Sequence, residues 1–457
     1  MGKQEDDSIG EGSEERPASV AISALIPLFI LLLFASLGHN FSAPSESADA
    51  QEVAFQNNPV PLIVRGFAYL LALGIVLAHS GASLQFFRRQ ITFLLLAAYI
   101  GSSMLWSAFP SKVFINWGHL MGLGLVLMAA GRYFKYRPDG FFTVLSGTLG
   151  LSLLLSIIVA MLVPTVGVSE LDGRWQGLAG NANSLGMIAL ISVWSNTAGL
   201  YMQVNRKARK WHWLGLAISF TALAGTRSVT SILTAGFTVA AIVFLIRLED
   251  NPNLVRIMKI LAAAWGLLII FGMLLVFAPE LLEAKGLFGL LGRSTTFSGR
   301  TNLWEEAWRL ITMRPLLGWG FDSNMSVLKY LGNVGQFHSG YLDLLVRGGW
   351  VGMVLFLGIL TSVFARIVKL ARLEYRRAAL FAVMTVVILL HNVTEASLAR
   401  ETHLLWTLLL FFYFFAYQRK KDLREATSKA RGVSNMSPEP ILDLPEASGM
   451  PHFHTIN

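Results

Sequence analysis

Four short segments combine residues that could do chemistry together. They are Gly173-Arg174-Trp175-Gln176-Gly177, Thr226-Arg227-Ser228, Ser298-Gly299-Arg300 and Gln336-Phe337-His338-Ser339-Gly340-Tyr341-Leu342. A guanidinium presents a rigid fork of donors and stays charged at any relevant pH, which suits phosphate. Arg174, Arg227 and Arg300 gathered at one membrane face would hold a pyrophosphate. Taken singly, each arginine would equally snorkel to a lipid headgroup or pair with a loop carboxylate. His338 stands just ahead of a short helical pattern, where the positive end of the helix dipole favours a neutral imidazole and hence a base. A histidine that only caps the helix is the competing reading. His39, His79, His119, His212, His391 and His403 occur singly within or at the ends of apolar runs, and His452 and His454 lie near the C-terminus. None has Asp or Glu partners at a metal-ligand spacing, so no metal is expected. No glycine-rich loop ends in a lysine, so nucleotide chemistry is not expected, and no cofactor is implied.

These residues interrupt a strongly apolar chain. Of 457 residues, 54% are hydrophobic and 14% charged, with a mean hydropathy of +0.55. A soluble domain carries more charge, so much of this chain must face lipid. With no cysteine, disulfides and thiolate metal sites are excluded. A span needs about 20 apolar residues. That length picks out twelve: 18–38, 60–79, 91–108, 113–130, 141–164, 184–203, 212–225, 229–247, 256–279, 349–367, 379–396 and 402–418. The seventh is short. The first follows an acidic leader and precedes no convincing cleavage motif, so it reads as a retained helix. The expectation is therefore an all-α polytopic membrane protein. Its parts are a cytoplasmic disordered leader (1–17), nine helices (18–279), a large loop (280–348), three helices (349–418) and a cytoplasmic disordered tail (419–457).

Orientation follows from the basic residues. Arg88 and Arg89, Arg132 to Arg137, Arg206 to Lys210, Arg247 with Arg256, Arg366 to Arg377, and Arg419 to Lys421 all fall on one side of the twelve-span order. That side is the cytoplasm, and both termini lie there. The net charge of +9 thus reads as positive-inside loops, not as a nucleic-acid surface. The four segments above then share the outer side with the large loop, which is too long for a plain connection. Within it, Asn302 can cap a helix, with Glu305 as capping-box partner. Leu303, Trp304, Ala307, Trp308 and Ile311 make one apolar stripe suited to the membrane interface, and Arg314-Pro315 ends the run. After a flexible Gly318-Trp319-Gly320, a second short helix near 339–347 stops at Gly348-Gly349. Arg65, near the outer end of the second span, is a further candidate because ionisable residues within spans are often functional. Glu395 and Arg400 would pair or line the same cavity.

The ordered set of motifs resembles the O-antigen ligase and polymerase superfamily. It runs through Gly299-Arg300, Leu303-Trp304, Pro315-Leu316-Leu317-Gly318-Trp319-Gly320, His338 to Leu342, and Gly349 to Gly352. Upstream, Gly180 to Gly186 and Thr226 to Ser231 are similar to further motifs of that family. The resemblance covers about residues 60–418. It implies a GT-C-like glycosyltransferase of a bacterial inner membrane with a periplasmic site, which takes its glycan from a polyprenyl-pyrophosphate donor. The acceptor would be a second lipid-linked glycan in polymerases or lipid A core in ligases; a chain-length regulator would be a further partner, beside membrane lipids. By motif, His338 would be the general base, and Arg174, Arg227 and Arg300 would bind donor pyrophosphate without metal. Asn183 and Tyr341 lie within matched motifs and join Arg65 and Glu395 as secondary site candidates. Ser339 stands where asparagine is common and Arg347 where an acidic residue is frequent, departures that bear on acceptor recognition.

The polymerase reading is favoured by Asn392-Val393-Thr394-Glu395 and Leu404-Leu405-Trp406, which look like the closing segment of exopolysaccharide-type polymerases. An O-antigen ligase is the alternative. A lipid-linked oligosaccharide transporter or flippase is the reading from another class. Transporters concentrate charge near the bilayer midplane, whereas here the span centres are nearly free of charge.

Overall fold

A backbone in lipid must satisfy its own hydrogen bonds, so the apolar runs are expected to fold as helices. The computed structural model describes residues 17–36, 59–78, 87–136, 138–170, 172–202, 206–247, 298–331, 336–400 and 402–416. Within them lie α1 (Pro17–Ser36), α2 (Pro59–Ala78), α3 (Ile91–Ser102), α4 (Pro110–Tyr136), α5 (Pro138–Leu162) and α6 (Ala182–Met202). Then follow α7 (Arg206–Thr226), α8 (Val229–Arg247), α9 (Ser298–Met313), α10 (Gly340–Ala371), α11 (Tyr375–Thr394) and α12 (Leu404–Phe415). No strand occurs among the described residues, where one isolated bridge joins Val168 to Trp175. The protein is an all-α, multi-pass membrane protein. Among the described residues, six helices, α4, α5, α6, α8, α10 and α11, have the length and hydropathy to cross a bilayer. Shorter apolar helices lie within α1, α2, α3 and α12. The expected span 256–279, the leader, residues 280–297 and the tail lie outside the described residues.

Three local expectations are corrected. The helix over the seventh span is longer than its apolar run: α7 starts at Arg206, with a basic first turn. Helix α9 begins at Ser298, so Asn302 lies inside it and does not cap it. Its stripe also differs, because Ala307, Leu310 and Ile311 are buried while Trp308 is exposed.

The third correction concerns Gly318-Trp319-Gly320, which is pinned. Helix α10 runs on past Gly349, but that residue has φ +57 and ψ −163 and puts a sharp break in it. Such a break orphans carbonyls on one side and N–H groups on the other. The Val346 and Arg347 carbonyls accept from Trp319 and Gly320 N–H, each at 2.9 Å. The Trp350 and Val351 N–H groups donate to Pro315 (2.8 Å) and Leu316 (3.1 Å) carbonyls. Gly318 (φ +67) and Gly320 (φ +112) supply the backbone conformations this strap requires.

Helix α6 packs against α5, α7, α8 and α11. Phe141 stacks on Phe411 at 4.0 Å, and Phe381 on Phe412 at 4.6 Å. Trp194 donates its indole N–H to the Leu380 carbonyl at 3.1 Å. These rings join α5, α6, α11 and α12, so the opposite ends of those helices are held in a fixed relation. At those ends lie the polar segments.

Candidate functional site

Asn183 occupies the first turn of α6. Asn181, just before it, accepts the Ser184 N–H on Oδ1 at 2.7 Å and so caps the helix. With the helix start fixed, Asn183 Nδ2 donates to Glu395 Oε1 at 3.1 Å. Asn183 Oδ1 accepts from Arg174 Nη1 at 3.3 Å, and Arg174 Nε donates to Asp172 Oδ2 at 2.5 Å. Partial burial works to raise Asp172, but hydrogen bonds from Arg174 and Ser169 outweigh it and hold the carboxyl below its usual range. Arg174 is thereby held through Nε and Nη1, one donor on each edge of its fork.

The carboxylate at the centre of this chain also meets His338. Glu395 Oε2 lies 3.7 Å from His338 Nδ1, and the two side chains are 15% and 22% exposed. They are thus largely desolvated yet reachable. The separation exceeds a hydrogen bond, and contacts of this kind commonly tighten only when substrate is bound. A carboxylate facing Nδ1 favours the tautomer with its proton on that nitrogen and leaves the Nε2 lone pair as an acceptor. Asp172, Arg174, Asn183, Glu395 and His338 therefore form one connected polar row built from three separate parts of the chain.

The position of His338 is imposed by its neighbours. Trp304 on α9 donates its indole N–H to the Phe337 carbonyl at 3.0 Å. On the other side, Gly340 N–H donates to the Glu395 carbonyl at 3.0 Å, and a Cβ at Gly340 would strike Asn392. Between these anchors His338 adopts φ +49. A non-glycine residue in that region costs on the order of 1–3 kcal/mol and persists where the surroundings over-determine it.

Arg227 shares that conformation, with φ +48, in the turn between α7 and α8. Its side chain is exposed. Trp175 N–H donates to the Gly225 carbonyl at 2.9 Å, so the turn carrying Arg227 is stitched to the segment carrying Arg174. Arg300 lies in the first turn of α9, but its side chain is outside the described residues. Two of the three expected phosphate-binding arginines are thus described, on adjoining segments.

The remaining candidates separate. Tyr341 is buried, and its hydroxyl donates to the Leu389 carbonyl at 2.8 Å, which engages it in packing α10 on α11. Arg65 is buried in α2 near Tyr69, whose hydroxyl is 3.2 Å from His119 Nδ1 on α4; this is a different polar group. Arg400, expected beside Glu395, bonds to Asp343 at 2.9 Å. Arg347, which the motif comparison linked to acceptor recognition, is buried, with its guanidinium on Asp343 at 2.7 Å and on backbone carbonyls. It is a framework residue. Asp343 was missed, although its i, i+4 spacing from Arg347 in an otherwise apolar helix was a usable signal. Asp322 was missed too. It is fully buried. Burial pushes its carboxyl up, against hydroxyl donors from Ser107 and Ser326. Among the described residues, no three His, Asp or Glu side chains converge on a metal position.

Residues 214–357 match a protein-family model described as O-antigen ligase. The matched stretch includes Arg227, α9 and His338 and ends within α10. The chain is also 22% identical over 228 residues to the exopolysaccharide production protein ExoQ of Rhizobium meliloti (strain 1021). That alignment covers 46% of this chain and 50% of ExoQ, so it spans about half the length of that relative. The fold and the polar row thus belong to a multi-pass helical membrane protein. Its matched segment, residues 214–357, is similar to the O-antigen ligase family.

Proposed function

We propose that this protein is a glycosyltransferase of a bacterial inner membrane that polymerises lipid-linked repeat units of an O-antigen or exopolysaccharide on the periplasmic side. The observation that carries the reading is the approach of His338 to Glu395, linked through Asn183 to Arg174, whose segment is bonded to the turn that carries Arg227. In this mechanism His338 Nε2 takes the proton from an acceptor hydroxyl as its oxygen attacks the anomeric carbon of the donor sugar. The bond from that carbon to the pyrophosphate breaks, and the electron pair leaves with polyprenyl pyrophosphate. Glu395 stabilises the imidazolium that forms. Arg227, with Nη2 of Arg174, meets the charge gathering on the leaving group, where preorganised cations act most strongly; Arg300 is the third member of the set. The donor bond supplies the driving force, so the scheme uses no nucleotide.

Ligation to lipid A core is the second reading, favoured by the description of the matched family; polymerisation is favoured by the exopolysaccharide role in the name of ExoQ. Surface polysaccharide from a deletion strain separates them. Single repeats that remain attached indicate a lost polymerase, whereas polymer accumulating on the lipid carrier indicates a lost ligase. Normal long-chain polysaccharide would overturn both.

Two further outcomes are expected. Arg227→Ala should raise KM for donor and lower kcat/KM by about tenfold or more. Arg227→Lys should recover only part, because an ammonium lacks the fork. Wild-type kinetics for both variants would remove Arg227 from the clamp. For topology, reporter fusions after Ala284 and after Arg424 should report opposite compartments, with the first outside, as the arrangement of basic loops requires. A single compartment for both would overturn the periplasmic site.

A further inference from the structure

The geometry points to Arg400 as a positioning residue for the His338–Glu395 pair, acting through a forked ion pair with Asp343. This rests on the reading of His338 as the base. The segment from Glu395 to Arg400 is irregular and mostly buried, and Ala399 within it has φ +49. Buried irregular backbone needs partners for its polar groups. Asn392 Oδ1 accepts from Ser397 N–H at 2.8 Å and Leu398 N–H at 3.2 Å. Arg347 donates to the Leu398 carbonyl at 2.7 Å and the Ala399 carbonyl at 3.0 Å.

Arg400 then reaches back to α10, with Nη2 2.9 Å from Asp343 Oδ1 and Nε 3.3 Å from Oδ2. The same carboxylate takes Arg347 Nη2 at 2.7 Å and Asn324 Nδ2 at 2.8 Å. Asp343 is fully buried and sits one helical turn beyond Ser339, to whose carbonyl its N–H donates at 2.9 Å.

The connection is therefore fastened to the first turn of α10 at two points. The near point is the Gly340 N–H bond to the Glu395 carbonyl; the far point is Arg400 on Asp343. Between them Arg347 holds the Leu398 and Ala399 carbonyls. Together these contacts fix the angle of the connection, and with it the direction in which Glu395 presents its carboxylate to His338. That carboxylate stands 3.7 Å from Nδ1, just beyond hydrogen-bond reach, so a small pivot decides whether the pair engages. A lysine at position 400 could touch only one oxygen of Asp343 at a time.

The test is a double-mutant cycle on turnover by the full-length protein in detergent, with lipid-linked repeat units as donor. Arg400→Gln should lower kcat about tenfold to a hundredfold, the scale of a small misplacement of reacting groups, with KM for donor unchanged. Arg400→Lys should recover only part of the loss. Because Arg400 acts through Glu395, the Arg400→Gln/Glu395→Gln double variant should be no slower than Glu395→Gln alone, within about twofold. If the two factors multiply in full, or if folded Arg400→Gln turns over at the wild-type rate, the inference fails. Should Arg400→Gln not accumulate, Arg400→Lys takes its place in the same cycle, with the same two outcomes. Wild-type turnover by His338→Ala, measured alongside, would instead refute the base itself and the inference with it.

Discussion

Replacing His338 with alanine is expected to lower turnover about a hundredfold to ten-thousandfold, the usual cost of removing a general base. The abundance of the protein in membranes should stay close to wild type. The reason lies in what the imidazole touches. It approaches Glu395 at 3.7 Å, while the anchors of its backbone are Trp304 on the Phe337 carbonyl and Gly340 on the Glu395 carbonyl. Neither anchor uses the His338 side chain, so its removal costs at most about 1 kcal/mol, the scale of a lost helix cap. A second variant sharpens the distinction. At φ +49 a glycine is unstrained, so His338→Gly should match or exceed wild-type thermal stability while being as inactive as His338→Ala. A stable, inactive His338→Gly would show that this position gives up stability for chemistry. Near-normal turnover per folded molecule in both variants would reduce His338 to a structural residue.

Much of the helical framework was legible because lipid imposes a simple length rule on apolar runs. It fell short at α7, where Arg206 to Lys210 dilute the hydropathy of a regular helix. His338 and Arg227 were legible as residue types in loops, but not their shared left-handed backbone, which neighbouring contacts impose. The pairing of His338 with Glu395 was hidden for another reason: the residues belong to different elements and meet only when α10 packs on α11. Asn183 was visible merely as part of a motif; its task of holding Glu395 depends on the capped start of α6. Asp343, Arg347 and Arg400 form a buried group that the sequence did not reveal as one. Asp343 was passed over, Arg347 was read as bearing on acceptor recognition and Arg400 as a partner of Glu395 or a cavity residue, whereas the three bond to one another or to the irregular backbone after α11. Burial decides between those readings, and residue spacing does not report it.

The other large effect is expected at Gly349, far from any reacting atom. Its φ of +57 and ψ of −163 define a backbone region that is essentially reserved for glycine. Its missing side chain also matters, since a Cβ there would collide with the Leu316 carbonyl and the Gly318 N–H group. Gly349→Ala must therefore either hold a strained backbone against the strap or abandon it. Abandoning it exposes the four hydrogen bonds that join residues 315–320 to Val346, Arg347, Trp350 and Val351. Holding the strap costs about 1–3 kcal/mol of strain and abandoning it about 1 kcal/mol for each of the four bonds, so the expected destabilisation reaches up to roughly 4 kcal/mol. That is a large share of the stability of an ordinary domain. Gly358 in the same helix is the control. A Cβ there would meet only Thr92 Cγ2 at 3.9 Å, an ordinary contact, and alanine is the better helix former. Gly358→Ala should leave the melting temperature in detergent unchanged or slightly raised, while Gly349→Ala lowers it sharply and depletes folded protein from membranes. Equal melting temperatures for the two variants would mean that the break at Gly349 is not what holds the 315–320 segment against α10.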